Sequence, residues 1–361
     1  MKKRIKTATL PGLRNKIDVF DRQIVRLLNQ RAAIAAAIGK IKSRSKTEPY
    51  DPAREKTIIK NIAGINRGPL SHSSLAAIYR EIMSASLALE RNITVAYLGP
   101  QASFSHQAAI KKFGASVNYI ACETIDDVFD RVQKADADYG VVPVENSTEG
   151  AVTSTFDRLT DTTLKICAEI YQPISNCLLS RGAWNSIKKI LSIPIVFGQC
   201  RKWLRNEFPA AELVPAASTA RAAELAARDK QAGAIAGRLA AEVYKLKVLA
   251  ADIQDISGNA TRFLVMGKLS TARTGDDKTS VVFSVKHRSG SLHDALGSLR
   301  KYNLNMTKIE SRPNRLKAWE YLFFVDLEGH VEDPKVSKAL LELDKHCLLL
   351  TILGSYPKAT E

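Results

Sequence analysis

The chain has 361 residues, of which 45% are hydrophobic and 25% are charged, a composition typical of a globular protein with two or three domains. No run of about 18 apolar residues occurs, which excludes a membrane-spanning helix, and the basic start lacks the apolar stretch of a secretory signal. The five cysteines form no Cys-x-x-Cys pair. This disfavours a disulfide scaffold or a zinc site and favours a cytoplasmic protein.

The net charge of +16 lies mostly in the first quarter of the chain. Residues 1–92 hold 19 Lys and Arg against 7 Asp and Glu, whereas the remaining residues are nearly balanced. Such an excess predicts an anionic partner, either a nucleic acid or a small polyanion. Few aromatic residues separate the cations and no nucleic-acid-binding motif occurs, which disfavours the nucleic acid. Strongly salt-dependent binding would reveal it.

Residues 10–92 predict three helices and no strand. Apolar residues recur every three to four positions from Leu13 to Ile41, which indicates one long amphipathic helix. Pro49 and Pro52 interrupt it, and a second, shorter helix follows. A third helix opens at a serine-rich cap near residue 71 and runs to about Glu90.

Cations lie at defined positions on the first helix. Arg31 and Lys42 are eleven residues apart and therefore fall within about 20° of each other, whereas Arg14 lies about 100° away from Arg31. A solvated basic face is the simplest interpretation of such a pattern. Further polar residues of interest follow the proline-containing turn and lie on the third helix: Asp51, Arg54, Glu55, Ser86 and Glu90.

The segments LRNKID, DRQIVRLLNQRAAIAAAIGKIK, YDPAREK and IYREIMSASLALE together resemble the all-helical chorismate mutase domain over residues 10–91. In that family two chains exchange their long helices and form an intertwined helical dimer. The resemblance implies that Arg14 reaches the partner's pocket. It also implies that Arg31, Lys42 and Arg54 hold the two carboxylates and the ether oxygen of chorismate. Arginine suits this task because its fork binds carboxylates in a bidentate way.

The same resemblance assigns the remaining polar residues of this segment. Glu55 binds the substrate hydroxyl through a hydrogen bond, Ser86 lines the pocket, and Asp51 orients its neighbours. Glu90 stands where many relatives have Gln, and a carboxylate there would repel the charge that develops on the ether oxygen. We therefore expect mutase activity to fall as Glu90 ionises, and Glu90→Gln to flatten this pH profile. The alternative, a degenerate domain kept for dimerisation, is disfavoured by the intact cations.

From residue 93 onwards strand and helix patterns alternate, which predicts an α/β domain with a largely parallel sheet. Residues 165–180 and 193–198 are among the predicted strands, and residues 270–278 read as a polar linker. Beyond the linker the order is β-α-β-β-α-β, which is the ferredoxin-like arrangement. The predicted domains are residues 1–92, 93–270 and 278–361.

Three polar motifs stand at strand ends: YLGPQASFSHQAA (97–109), PVENSTEGAV (143–152) and NATRF (259–263). Each motif alone is explained equally well by a turn or helix cap and by a binding site. Together they resemble prephenate dehydratase over about residues 93–269, a two-lobed α/β domain similar to periplasmic binding proteins. A solute-binding protein is the alternative, and the missing signal peptide argues against it. With the mutase-like segment, the chain resembles the bifunctional enzymes of phenylalanine biosynthesis, which convert chorismate to prephenate and prephenate to phenylpyruvate.

The dehydratase resemblance assigns a hydrogen-bond donor at the departing hydroxyl, Thr261, and implies no metal or cofactor. Threonine is a poor acid, so it acts as a donor or through a relay, and Glu145 is the alternative acid. Arg262 either pairs with a substrate carboxylate or is structural, and Phe263 either packs beside the ring or belongs to the core. His106 reads as a helix-start residue. The remaining expected substrate contacts are Asn146, Ser147, Ser192, Gln199 and Asn259, although Ile193 and Ile195 replace a His and a Gln of relatives.

The C-terminal part, residues 279–356, resembles an ACT domain, a ferredoxin-like module that binds amino acids at a dimer interface. The resemblance implies L-phenylalanine as a feedback inhibitor and a homo-oligomer, a dimer at least, without a nucleic-acid or membrane partner. A purely structural dimerisation domain is the alternative. The implied effector-binding residues are Gly290, Ser291, Leu292, Asn305, Glu310, Ser311, Arg312 and Pro313.

Overall fold

The computed structural model describes residues 9–45, 50–314 and 320–359. The basic first residues and Pro49 lie outside this part of the chain. The N-terminal part consists of three helices, as predicted: α1 (Leu10–Ser45), α2 (Pro52–Ile65) and α3 (His72–Glu90). The Asp51 carboxylate caps α2 by accepting from the Arg54 backbone N–H at 2.9 Å, and Ser71 caps α3 through Ser74 at 3.0 Å.

Helix α1 packs against α3 over only part of its length. Gly39 permits a close approach, because a Cβ there would lie 2.7 Å from the Cα of Glu90. The apolar residues that produced the predicted stripe remain largely exposed in the single chain: Leu13, Ile17, Phe20, Ile24, Leu27, Ile34, Ile38 and Ile41. We refer to this set as the α1 apolar face.

The second part begins almost without a linker, because α3 ends at Glu90 and the next strand starts at Thr94. The chain first forms one lobe and then passes into a second lobe. The elements of this first lobe are β1 (Thr94–Leu98), α4 (Phe104–Phe113), β2 (Asn118–Cys122), α5 (Ile125–Gln133), β3 (Tyr139–Asn146), β4 (Gly150–Ala151), α6 (Thr153–Thr160) and β5 (Lys165–Pro173).

A second lobe follows before the chain returns to the first through its last strand. The elements of the second lobe are β6 (Cys177–Ser180), β7 (Lys189–Ser192), α7 (Pro194–Gln199), α8 (Arg201–Glu207), β8 (Glu212–Pro215), α9 (Thr219–Ala226), β9 (Ala232–Ala236), α10 (Arg238–Tyr244) and β10 (Lys247–Ala250). Strand β11 (Ala260–Gly267) then enters the first sheet between β3 and β5. The two sheets have the orders β2-β1-β3-β11-β5, with β4 on β3, and β10-β6-β9-β7-β8.

The alternation of strands and helices is confirmed, but the expectation of a largely parallel sheet is wrong. Strand β11 pairs antiparallel with both β3 and β5, and β6 pairs antiparallel with β9 and β10. The segment 165–180 is divided between the two sheets. Residues 193–198 are helical rather than extended, since Pro194 occupies the first turn of α7, where its missing N–H costs nothing.

The third part confirms the ferredoxin-like order. The elements are β12 (Asp277–Val285), α11 (Ser291–Lys301), β13 (Met306–Pro313), β14 (Tyr321–Glu328), α12 (Pro334–Asp344) and β15 (Cys347–Pro357). Its sheet is antiparallel, with the order β13-β14-β12-β15. One face packs on the two helices, and the other packs on the first lobe, where Val282, Phe324 and Tyr356 share a core with Ile166 and Leu264.

The junction between the helical part and the first lobe includes hydrogen bonds from two backbone N–H groups. The N–H of Ala115 donates to the Glu81 carboxylate at 3.0 Å, and the N–H of Ser116 donates to the Ser84 hydroxyl at 3.1 Å. Gly114 has a φ of 72°, and a Cβ there would lie 2.5 Å from that of Ser84. The turn after α4 is therefore seated directly on α3. Within the described ranges, no helix has the length and apolar character needed to cross a membrane.

Candidate active sites

The three N-terminal helices enclose a small cationic cavity of about 130 Å³. Arg31 and Lys42 both face it from α1. The Arg31 guanidinium donates to the Ser86 hydroxyl at 2.5 Å, and the Lys42 ammonium lies 3.1 Å from the Glu90 carboxylate. The structure therefore brings four of the predicted residues together, and Arg54 and Asp51 line the same cavity from the start of α2.

Glu55 lies in the same cavity and is held by two donors. The Tyr50 hydroxyl donates to its Oε2 at 3.2 Å, and the Lys112 ammonium lies 3.0 Å from the same oxygen. Burial, reinforced by the neighbouring Glu55 carboxylate, raises the pKa of Tyr50 well above its usual value, so this hydroxyl remains a donor. Tyr50 and Lys112 were not predicted as site residues, and Lys112 carries no local signal because it belongs to α4.

Arg14 is the one predicted mutase residue that lies apart from this cavity. It is exposed on the first turns of α1, beside Asn15 and Asp18. A single chain therefore does not bring Arg14 and Arg31 into one site.

The polar motifs of the dehydratase-like part meet where β3 and β11 pair. Asn146 and Thr261 are directly opposite each other in the register. The Asn146 amide donates to the Thr261 hydroxyl at 2.8 Å and to the Asn259 side-chain oxygen at 2.9 Å. Ser147 donates to Asn259 at 3.2 Å. Four of the predicted residues thus form one hydrogen-bonded group.

The direction of these bonds determines what the Thr261 hydroxyl can donate. Its oxygen accepts from the Asn146 amide, which leaves its own O–H to be donated. The Asn146 orientation is fixed because its Oδ1 accepts from the backbone N–H groups of Thr148 at 2.9 Å and Glu149 at 3.1 Å. The site can therefore present a positioned hydroxyl donor without further rearrangement.

Glu145 and Arg262 point away from this group, although both were expected at the dehydratase site. They are paired across the β3–β11 ladder and share the sheet face opposite to Thr261. The Glu145 carboxylate lies 2.6 Å from the Lys308 ammonium of β13. Glu145 is therefore placed at a domain contact and not as the alternative acid.

Arg262 takes the structural alternative, because its guanidinium is enclosed by partners from two domains. It lies 2.9 Å from the Glu169 carboxylate and 2.5 Å from that of Asp326, and it donates to the Tyr356 hydroxyl at 3.0 Å. Burial alone would lower the pKa of Arg262, but Tyr356, Asp326 and Glu169 raise it above its usual value. The guanidinium stays charged and is not available to a substrate carboxylate. The Lys278 ammonium adds a further contact to Glu169 at 3.0 Å.

Two other predicted substrate contacts are also interior. Phe263 is fully buried in the core between β1, α4 and β11, which is the core alternative. Ser192 is fully buried, and its hydroxyl donates to the Ile235 carbonyl at 2.8 Å. Neither side chain reaches a cleft, because each faces the inside of its own lobe.

Gln199 bridges the two lobes near the motif PVENSTEGAV. Its amide donates to the Glu149 carboxylate at 3.1 Å, and its side-chain oxygen accepts from the buried Asn176 at 3.3 Å. Glu149 and Asn176 were not predicted as site residues. His106 is buried at the start of α4, where its Nδ1 accepts from the Ala102 N–H at 3.1 Å, as expected for a helix-start residue. In the described part of the chain, no three His, Cys, Asp or Glu side chains group as metal ligands.

Within the described residues, no hydrogen bond or ion pair joins the two ACT motifs. Gly290 has a φ of 82° and precedes α11, and the Ser291 hydroxyl accepts from the Arg288 guanidinium at 3.3 Å. Glu310 and Arg312 lie on the sheet face towards the first lobe, whereas Ser311 faces the helices with its neighbour Phe323. The buried Nε of Arg312 has no hydrogen-bond partner within the described residues. Leu292, Asn305 and Pro313 complete the two motifs at the ends of their elements.

Family models match three consecutive segments of the chain. They are chorismate mutase type II over residues 13–91, prephenate dehydratase over residues 95–271 and the ACT domain over residues 279–345.

Relatives match along nearly the whole chain. The bifunctional chorismate mutase/prephenate dehydratase of Aquifex aeolicus is 48% identical over 97% of this chain and 98% of its own. The enzyme of the same name from Neisseria gonorrhoeae is 45% identical over 96% of both chains. A crystal structure of prephenate dehydratase from Arthrobacter aurescens in complex with L-Phe is 34% identical and has a TM-score of 0.68. It covers 73% of this chain and 90% of its own. The chain therefore belongs to the family of bifunctional chorismate mutase/prephenate dehydratases and carries both activities together with an ACT domain.

Proposed function

We propose that the cationic cavity of the helical part holds chorismate and folds it for rearrangement. Arg31 and Arg54 bind the substrate carboxylates, and Lys42 lies beside the ether oxygen, where negative charge develops. Glu55 accepts a hydrogen bond from the substrate hydroxyl, and the Ser86 hydroxyl fixes the position of the Arg31 guanidinium. The reaction needs no nucleophile, because holding the substrate in a folded geometry and stabilising the ether oxygen supply its rate.

The exposed α1 apolar face supports the proposal that the helical part packs against a second copy of the chain. A helix whose apolar stripe is exposed is stable only when another surface covers it. In the proposed dimer Arg14 of one protomer completes the cavity of the other, as the chorismate mutase resemblance implies. Mixing Arg14→Ala chains with Arg31→Ala chains tests this, because hybrid dimers regain one intact cavity and part of the mutase activity. No recovery after unfolding and refolding the mixture together would contradict it.

The dehydratase proposal depends on one observation, the hydrogen bond from the Asn146 amide to the Thr261 hydroxyl. The Thr261 O–H donates a hydrogen bond to the departing hydroxyl of prephenate while the ring carboxylate leaves as carbon dioxide. Asn259, Ser147 and Gln199 position the substrate beside it. Loss of carboxylate and hydroxide together produces the aromatic ring of phenylpyruvate, so the enzyme has only to assist the leaving oxygen.

L-Phenylalanine is the proposed effector of the ACT domain. The support is the family match and the relative from Arthrobacter aurescens, which was crystallised in complex with L-Phe. No hydrogen bond or ion pair joins the two motifs within the described residues, and in the proposed site a second copy of the chain completes the contact. The proposed domains are residues 1–92, 93–270 and 278–361, and the proposed location is the cytoplasm, with no nucleic-acid partner.

A coupled assay on the purified full chain tests the whole proposal. Chorismate is supplied, its loss and the appearance of phenylpyruvate are followed, and the assay is repeated with L-phenylalanine. Phenylpyruvate formation that L-phenylalanine suppresses is the expected result. Accumulation of prephenate would contradict the assignment of Thr261 and its neighbours. Persistence of chorismate while added prephenate is converted would contradict the assignment of the cationic cavity.

A further inference from the structure

The mutase cavity is not built by the mutase domain alone. Lys112 and Phe113, the last residues of helix α4 in the dehydratase domain, line the same cavity as Arg31 and Lys42. Phe113 is buried, and its ring centroid lies 4.8 Å from that of Tyr50. The cavity therefore has one wall that only the full chain supplies.

Lys112 makes a defined contact within that wall. Its ammonium lies 3.0 Å from Oε2 of Glu55, and the two side chains are 21% and 19% exposed. The same ammonium lies 5.9 Å from the centroid of the Tyr50 ring. An ion pair that is mostly withdrawn from water is screened less than a surface pair, so this contact acts on Glu55 more strongly than an exposed lysine would.

The two donors both contact the same oxygen of the Glu55 carboxylate and leave the other oxygen available. Tyr50 and Lys112 both bind Oε2. Among the described residues, no hydrogen bond is made to Oε1 of Glu55. A carboxylate fixed in this way presents one oxygen in a constant direction, which is the requirement for accepting a hydrogen bond from a bound hydroxyl.

The position of Lys112 is itself fixed by the domain junction. The turn that follows α4 is bound to α3 through the N–H groups of Ala115 and Ser116, and Gly114 lies against Ser84. Helix α4 begins at the Ser103 cap inside the dehydratase domain. The junction therefore sets the distance from the Lys112 backbone to Glu55.

We propose that Lys112 of the dehydratase domain is a positioning residue of the mutase site, where it holds the Glu55 carboxylate for the substrate hydroxyl. This proposal rests on the role proposed above for Glu55. It implies that the dehydratase domain contributes to chorismate binding in addition to its own reaction.

The test compares Lys112→Met with Lys111→Met in the full chain. Lys111 is the matched control, because it is the preceding residue of α4 and its ammonium donates to the Tyr171 carbonyl at 2.7 Å, outside the mutase cavity. For Lys112→Met we expect the KM for chorismate to rise roughly tenfold while kcat changes less than about threefold, because substrate binding and not the rearrangement itself loses support. Lys111→Met keeps the KM of the unchanged chain. Lys112→Arg restores it, since the longer cation still reaches Glu55.

Two further measurements separate this proposal from its alternatives. The kcat/KM for added prephenate stays unchanged in Lys112→Met, and a fall there would show that the substitution disturbs α4 in general and overturn the positioning role. Glu55→Gln tests the residue on which the proposal rests. Unchanged mutase kinetics in Glu55→Gln would refute the role of Glu55 itself. Impaired Glu55→Gln with unaffected Lys112→Met would refute only the role of Lys112.

Discussion

Replacing Arg262 by Met removes the charge at the centre of the contact between the dehydratase and ACT domains. The guanidinium has three partners, Glu169, Asp326 and Tyr356, and it is only 6% exposed. Met fills much of the same volume, so the main change is the loss of a buried cation between two carboxylates. Removing one partner of a buried ion pair costs about 3–5 kcal/mol, because a charge is left without compensation.

The remaining contacts place the expected loss near the lower end of that range. Glu169 keeps the Lys278 ammonium at 3.0 Å, and Asp326 keeps the Ser280 hydroxyl at 2.5 Å. We therefore expect the free energy of unfolding to fall by about 3 kcal/mol. A typical urea dependence of about 1–3 kcal/mol/M converts this into a lower unfolding midpoint, by roughly 1 M or more.

The assay is urea unfolding followed by far-ultraviolet circular dichroism, with Arg273→Met as the control. Arg273 pairs with Asp333 at 2.5 Å, but its side chain is 54% exposed, and exposed pairs contribute only about 0–1 kcal/mol. Arg262→Met should also regain stability when Asp326→Asn is added, because the second change removes the uncompensated carboxylate. A loss in Arg262→Met no larger than that in Arg273→Met would refute the reasoning.

Three further outcomes are expected. Thr261→Val keeps the shape but removes the donor, so the dehydratase kcat should fall by about 10²–10⁴ with mutase kinetics unchanged; a loss below tenfold would exclude Thr261 as the donor. Glu90→Gln should raise the mutase kcat/KM, because it removes a carboxylate that repels the charge developing on the ether oxygen, and an unaltered kcat/KM would contradict the role given to Glu90. Burial lowers the pKa of His106 below 6.5, so the unfolded chain binds more protons there and stability is lost as pH falls below that value. His106→Gln should therefore lose less stability than the unchanged chain between neutral and mildly acidic pH, as measured by urea midpoints.

The helical part was predictable because its signals are local. The serine cap near residue 71 and Pro52 lie within a few residues of the helix starts that they favour. The orders of strands and helices in the later domains were predictable for the same reason. The division of residues 165–180 between two sheets was not, since a continuous apolar run carries no mark of where the chain crosses from one lobe to the other.

Thr261 and Arg262 show the same limit of sequence-based prediction in the dehydratase site. The alternation of a strand places Thr261 and Arg262 on opposite faces, but it does not say which face carries the site. The packing of the ACT sheet determines which face carries the site, because this sheet contacts the face with Arg262 and Glu145. Lys112 was beyond sequence reasoning because its partner Glu55 is far away along the chain and belongs to another domain.

The connection between α3 and β1 consists of three residues, from Arg91 to Ile93, which span at most about 10 Å. A tether this short keeps the two domains adjacent, unlike a long flexible linker, whose length sets an effective concentration. The hydrogen bonds from Ala115 and Ser116 to α3 join the same two domains at a second place. The domain junction, and not the length of a linker, therefore sets the distance between the mutase and dehydratase sites of one protomer in this structure.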